Sequence, residues 1–240
     1  MTQSAMTDPL TDKLRAFVQQ ENIQPDQNFA LPRSGVHAVV NCVFSAQVKF
    51  ELIVVPLLAR LDERLADRPE LTFSQFIEDV DGSGRFQEYA KIVLTRHRLA
   101  RKLKVEVAYC AAKFFVEKDY EVQAHFQLPG DLESEKAKAK EREIESLVLN
   151  DLVTEVHGIG PVLARYLMWL LGDERHVKPD TLLTRLCARV SGQDLRYGNA
   201  GDMKSIRQAI TAVAQEIQTT PARLDNALWK YESTLRAKTA

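Results

Sequence analysis

A chain of 240 residues can bury one large core or two modest ones. Apolar residues make up 45% of it and charged residues 27%, an ordinary globular balance that excludes wholesale disorder. The formal charge of -1 argues against non-specific coating of nucleic acid, while leaving room for a local basic face.

The first ten residues, MTQSAMTDPL, carry neither a basic leader nor an apolar stretch, so a cytoplasmic protein is expected. Apolar residues then recur at helical spacing in Leu10–Val18, Val36–Phe44, Ile53–Leu65 and Phe73–Val80, with Thr72 placed as an N-cap. The apolar stretch Leu52–Leu61 is too short to cross a membrane and is broken by Pro56. Asp81–Gly84 reads as a loop and Ile92–Phe115 as a long helix. Leu128–Asp131 is a second loop, and the charge-alternating Glu133–Glu145 a solvated helix. Helical spacing returns in Ile144–Val156, Leu163–Leu171 and Leu182–Val190. After a loop over 192–202 it resumes in Ile206–Ile217 and in Leu224–Leu235, with Pro221 at a first helical position. Val36–Val43 and Val105–Val107 are β-branched enough to suit strands, but no spaced set of Asn-Gly or Asp-Gly turns accompanies them. The expected class is all-α.

Cys42, Cys110 and Cys187 form no close pair, and no two of the five histidines stand four apart. Reduced, mostly buried thiols are expected, and no metal site.

Two stretches carry chemistry. In Val156-His157-Gly158-Ile159-Gly160-Pro161-Val162, a tight turn joins two helices. Its glycines let a ligand approach the backbone, and the helix that follows presents unpaired N–H groups suited to a phosphate. Taken alone, this is more simply a plain interhelical turn. Asp180, twenty residues beyond Gly160, starts another helix, and a carboxylate there taken alone is most simply an N-cap. A third feature is basic: Lys91–Lys104 contains Lys91, Arg96, Arg98, Arg101, Lys102 and Lys104 with no acid, a run that most simply covers a solvated helix face.

The two stretches together resemble the endonuclease III-like superfamily of helix-hairpin-helix DNA glycosylases. That family has a hairpin of the form L-P-G-V-G followed by V-D-T-H-x-x-R-V-C-x-R. This chain has V-H-G-I-G, then P-D-T-L-L-T-R-L-C-A-R, at about the same separation, with Asp180, Thr181, Arg185, Cys187 and Arg189 in register. Phe44-Ser45-Ala46-Gln47 looks like the family's L-S-A-Q, and Pro221–Tyr231 resembles its closing helix, where Trp229 and Tyr231 are expected as core residues.

The resemblance implies a two-lobed fold, with a six-helix barrel over 34–171 and a second lobe from 1–33 and 172–240. It implies a DNA glycosylase that flips a damaged base and hydrolyses its N-glycosidic bond. Asp180 is the implied catalytic carboxylate, stabilising the cation that grows on the sugar. Gln47, Arg96, Arg98, Arg101, Lys102, Gly158, Gly160 and Val162 are the implied DNA contacts.

Two departures matter. Val162 stands where bifunctional relatives hold a lysine nucleophile, so a monofunctional enzyme is expected; Lys178 does not match that position. The family's four-cysteine iron–sulfur loop is missing. No cofactor is expected, with a monovalent cation at the hairpin left open. The expected partner is double-stranded DNA with a damaged or mismatched base, bound by a monomer, nucleoid-associated if the source is bacterial. A non-catalytic helix-hairpin-helix protein that recognises damaged or distorted DNA is the alternative, and a protein-interaction module the third reading.

Overall fold

Helical spacing in the sequence becomes helix along most of the chain. The computed structural model describes residues 9–25, 30–68, 70–128 and 134–239. Among these, the only strands are the two short ones of a single ribbon, and no helix is long and apolar enough to cross a membrane. Of the loop expected over Leu128–Asp131, residues 129–131 lie outside the described residues. The chain divides into two units, Leu31–Asp173 and Met1–Ala30 with Glu174–Ala240.

The unit Leu31–Asp173 is organised around α2 (Gly35–Ser45). Every residue of α2 from Gly35 to Phe44 is buried, which explains its β-branched composition: a helix enclosed on all sides needs apolar residues on all sides. Ser34 caps it by accepting from the His37 N–H. Around it pack α3 (Phe50–Arg64), α4 (Phe73–Gly82), α6 (Lys104–Glu117) and α9 (Pro161–Leu170). Its two buried polar side chains toward α9 both find partners. Tyr166 Oη donates to Asn41 Oδ1 at 3.2 Å, and Cys42 Sγ donates to the Leu163 carbonyl at 3.1 Å. Thr72 and Gln75 form a reciprocal capping box at the start of α4. That helix runs on through Gly82, shortening the expected loop. The charged segment forms α7 (Glu135–Ser146), which continues through a π-helical turn, Leu147–Asp151, into α8 (Leu152–Glu155).

The other unit packs α1 (Pro9–Gln20), α10 (Thr181–Ser191), α11 (Ala200–Glu216) and α12 (Pro221–Thr239) around one core. Leu10, Leu14, Leu183, Leu186, Ile206, Ile210 and Leu228 are fully buried there, with Cys187 among them. Tyr231 packs partly against this core. Its ring meets Phe17 edge-on, and its hydroxyl donates to Glu21 at 2.7 Å, leaving the ring engaged within the protein. Trp229 is half-buried.

The long helix expected over Ile92–Phe115 is not formed. Instead α5 (Arg85–Ile92) ends, and β1 (Arg98–Leu99) pairs antiparallel with β2 (Lys102–Leu103) before α6 begins. Leu99 and Leu103 are buried while Arg98 and Arg101 stay exposed, and the pairing of Arg98 with Leu103 and of Leu99 with Lys102 leaves Ala100 and Arg101 as a two-residue turn. Ala100 and Arg101 make the turn at φ +48° and +71°, the two left-handed positions of a tight hairpin. Asn-Gly is the usual occupant, so the sequence lacked the signal.

The basic run is corrected at Lys104 as well. Rather than facing solvent, Lys104 is 1% exposed, and its ammonium donates to the carbonyls of Phe44 (3.0 Å) and Ala46. It therefore satisfies carbonyls at the end of α2 that the helix leaves open. Its nitrogen also lies 5.8 Å from the Phe44 ring centroid.

Lys104→Met keeps the length of the side chain but leaves those carbonyls without a donor, and should cost about 1–3 kcal/mol. Arg98→Ala, on an exposed strand position, should change stability by no more than about 0.5 kcal/mol. Urea unfolding of the two variants checks the contrast.

Candidate functional site

The glycine turn follows α8 directly. Val156 leaves helical geometry, and the Ile159 N–H donates to the Val156 carbonyl at 3.1 Å, closing the turn. Ile159 is buried and anchors it. The two glycines do different things. Gly158 has φ +111°, and a Cβ there would stand 3.1 Å from a methyl of Val107 on α6 and 3.8 Å from Leu99 on β1. Both backbone and packing demand glycine. Gly160 has φ −95°, which any residue adopts, and a Cβ would meet nothing within 4 Å. Its lack of a side chain keeps open space in front of α9. Gly160 is the N-cap of α9 and supplies no side-chain cap; Pro161 follows as the first helical residue. The N–H groups of Val162 and Leu163 at the positive end of that helix thus have no side-chain acceptor from the cap.

The structure brings the basic ribbon beside this turn. His157 Nε2 lies 3.3 Å from the Ala100 carbonyl at the tip of the ribbon, in position to donate to it. Arg96, Arg98 and Arg101 are exposed. The Arg98 guanidinium donates to the Arg101 carbonyl at 2.8 Å, which orients it across the turn. Lys102 pairs with Glu106 at 3.0 Å, and that contact raises its pKa.

Gln47 belongs to the same unit. It is exposed, with φ +58°, in the turn after α2. The Ala46 carbonyl just before it is one of the two held by Lys104. Sequence reasoning missed Lys104 as the residue that sets this turn. The available signal was a lysine between Leu103 and Val105, inside a run whose neighbours are apolar.

Asp180, in the other unit, caps α10. Its Oδ1 accepts from the N–H groups of Leu182 (2.8 Å) and Leu183 (3.0 Å), while its carbonyl accepts from Thr184 Oγ1 at 2.7 Å. Oδ2 has no hydrogen bond among the described residues. The rest of the segment is largely structural. Cys187 is buried in the core, which pushes its thiol up to about 12. Arg189 pairs with Glu232 at 2.6 Å and lies over the Phe17 ring at 5.7 Å. Thr181 and Arg185 are exposed, and Lys178 is half-buried.

A second carboxylate near Asp180 escaped the sequence reading. Asp225, on α12, is 3% exposed and accepts from the Lys178 N–H at 2.5 Å. Burial pushes its pKa well above the ordinary carboxylate range; the Lys178 N–H opposes this, and the Asp180 charge adds to it. Its position is fixed by the start of α12, where Glu174 accepts from Arg223 and Thr220 at 2.8 Å each. An acid among the apolar residues Leu224, Ala227 and Leu228 was the only hint.

The arrangement is thus a mostly helical protein that offers an uncapped helix start beside a cationic ribbon, and separately a helix-capping carboxylate with a buried acid near it. Over residues 8–233 the chain matches the family described as Domain of unknown function (DUF8548), and it belongs to that family. No curated protein and no solved structure matches it.

Two outcomes are expected. Gly158→Ala should lose about 2 kcal/mol or more through strain and crowding, whereas Gly160→Ala should stay within about 0.5 kcal/mol, both read by urea unfolding. The folded state holds the Asp225 proton to a higher pH than the unfolded chain does. Stability is therefore greatest below the ordinary carboxylate pKa and falls as pH rises toward the raised value. Asp225→Asn should flatten that fall, measured as unfolding free energy from mildly acidic to mildly alkaline pH.

Proposed function

We propose that the chain is a monofunctional DNA glycosylase of two-lobed helix-hairpin-helix build, with residues 31–173 as the barrel lobe and Asp180 as its catalytic carboxylate. The observation that carries this reading is the state of Asp180. One oxygen accepts from two backbone N–H groups, which orient the carboxylate, and the other oxygen has no hydrogen bond among the described residues. Such a group can face a cation that develops on a deoxyribose as the base departs, and can orient the attacking water.

The turn at Gly158 and Gly160 supports the partner assignment. Space in front of Gly160, with the Val162 N–H behind it, suits a backbone phosphate, and Arg96, Arg98, Arg101 and Lys102 supply countercharge in the same unit. Gln47, exposed at the end of its turn, carries both donor and acceptor for a base left without its partner. The substrate is a duplex with a damaged or mismatched base extruded from the stack. Val162 has no amine, so the product is an intact strand bearing an abasic site.

Asp180→Asn tests the reading. Asn still caps α10, so the fold should persist, while base release should fall about a hundredfold or more. Affinity for the same duplex should hold or rise, because a negative charge near phosphates is removed. The measurement is alkali-revealed cleavage across a panel of lesion-bearing duplexes, with binding followed in parallel. If both proteins bind duplex and neither releases a base, the chain is a non-catalytic damage-binding protein and Asp180 is a helix cap.

A further inference from the structure

An open cleft of about 280 Å³ lies between the start of α5 and the ribbon. Arg85, Phe86 and Gln87 line one side, and Arg98, Arg101 and Lys102 the other. Its charge is lopsided. Four cations face two neighbouring acids, Glu106 on Lys102 at 3.0 Å and Asp81 on Arg85 at 3.3 Å. Arg98 and Arg101 have no acidic partner among the described residues. Arg98 spends one donor on the Arg101 carbonyl, so most of the donors on both guanidiniums remain available.

The backbone on both walls is held in an uncommon state. Gly84, Arg85, Ala100 and Arg101 have φ of +81°, +64°, +48° and +71°. For each of the three non-glycine residues this conformation costs about 1 kcal/mol, and two of the three are arginines of the cleft. Glycine at Arg85 and Arg101 would give the same turns without the cost. The guanidinium is what arginine adds. The Phe86 ring, held edge-on against Tyr109 at 5.1 Å between centroids, gives the cleft an apolar surface beside its cations.

We infer that this cleft is a phosphodiester-binding site, which grips one backbone phosphate of a nucleic-acid strand at a point distinct from the glycine turn. Guanidiniums approaching from two walls suit a tetrahedral group with several oxygens better than a planar carboxylate, and the apolar surface suits the adjoining sugar. The ribbon is shared: its tip meets His157 of the glycine turn, while Arg98, Arg101 and Lys102 line this cleft. A strand can thus be held at two phosphates on either side of one ribbon. The phosphate chemistry stands on the cleft itself; its source, a strand, rests on the DNA reading above.

The test uses the full chain with Arg85→Gly, the one cation of the cleft that the DNA reading above does not use. The change removes a guanidinium and relieves left-handed backbone, so the variant should fold at least as stably as the parent, checked by urea unfolding. The probes are a short duplex and inorganic phosphate. The expected result is about tenfold weaker duplex binding at low salt, with the slope of log affinity against log salt reduced by about one phosphate contact or more. An unchanged duplex affinity and slope overturns the site while leaving the DNA reading intact. Tight binding of inorganic phosphate that the variant loses, with duplex affinity unchanged, overturns the strand as the source. If the parent binds no duplex at all, the DNA reading fails, and this inference with it.

Discussion

The candidate interface of the unit Leu31–Asp173 depends on one interaction, the Lys104 ammonium set against the carbonyls that end α2. Lys104 is the first residue of α6 and follows β2 at once. Its side chain reaches back to the turn that exposes Gln47, and its N–H donates to the His97 carbonyl at the base of the ribbon, at 2.8 Å. One residue therefore ties the end of the buried central helix, the Gln47 turn and the ribbon together. A charge 1% exposed is costly unless its donors are satisfied, and these carbonyls, left open by the end of a helix, are the groups that do so.

From that node the rest of the surface follows. The ribbon is held by Leu99 and Leu103 inward and by α6 behind it; the glycine turn is then fitted against Leu99 and Val107. Gly158 is explained by this fit alone. Gly160 is not, since neither its backbone nor its surroundings require glycine. A residue that structure leaves free, in front of an uncapped helix start, is where a ligand is most economically placed. The near-neutral total charge is no obstacle, because binding follows the distribution of charge, and Arg96, Arg98, Arg101 and Lys102 stand close together at the ribbon.

Asp180 has the opposite character. As a helix cap it is fully accounted for by one oxygen, and several of its neighbours in sequence are core or ion-pair residues. Its second oxygen and the buried Asp225 nearby are what a cap does not need. The two carboxylates stand in different surroundings, Asp180 oriented by backbone N–H groups at the start of α10 and Asp225 enclosed and pushed toward its neutral form.

The sequence by itself determined the helical class, most helix positions and the cap residues. Spacing such as Leu10–Val18, and caps such as Thr72 and Asp180, act over a few residues and are written locally. It also exposed the glycine turn and the basic run as chemically suggestive. Tertiary structure alone decided which residues of those segments face outward. The ribbon at 98–103 forms because burying Leu99 and Leu103 outweighs two left-handed residues, a balance that depends on the residues packed against it, Val107 and the glycine turn among them. The different duties of Gly158 and Gly160, the burial of Lys104 and the pairing of Asp225 with the Lys178 N–H join residues far apart in the chain. Local sequence carries no term for such distant contacts.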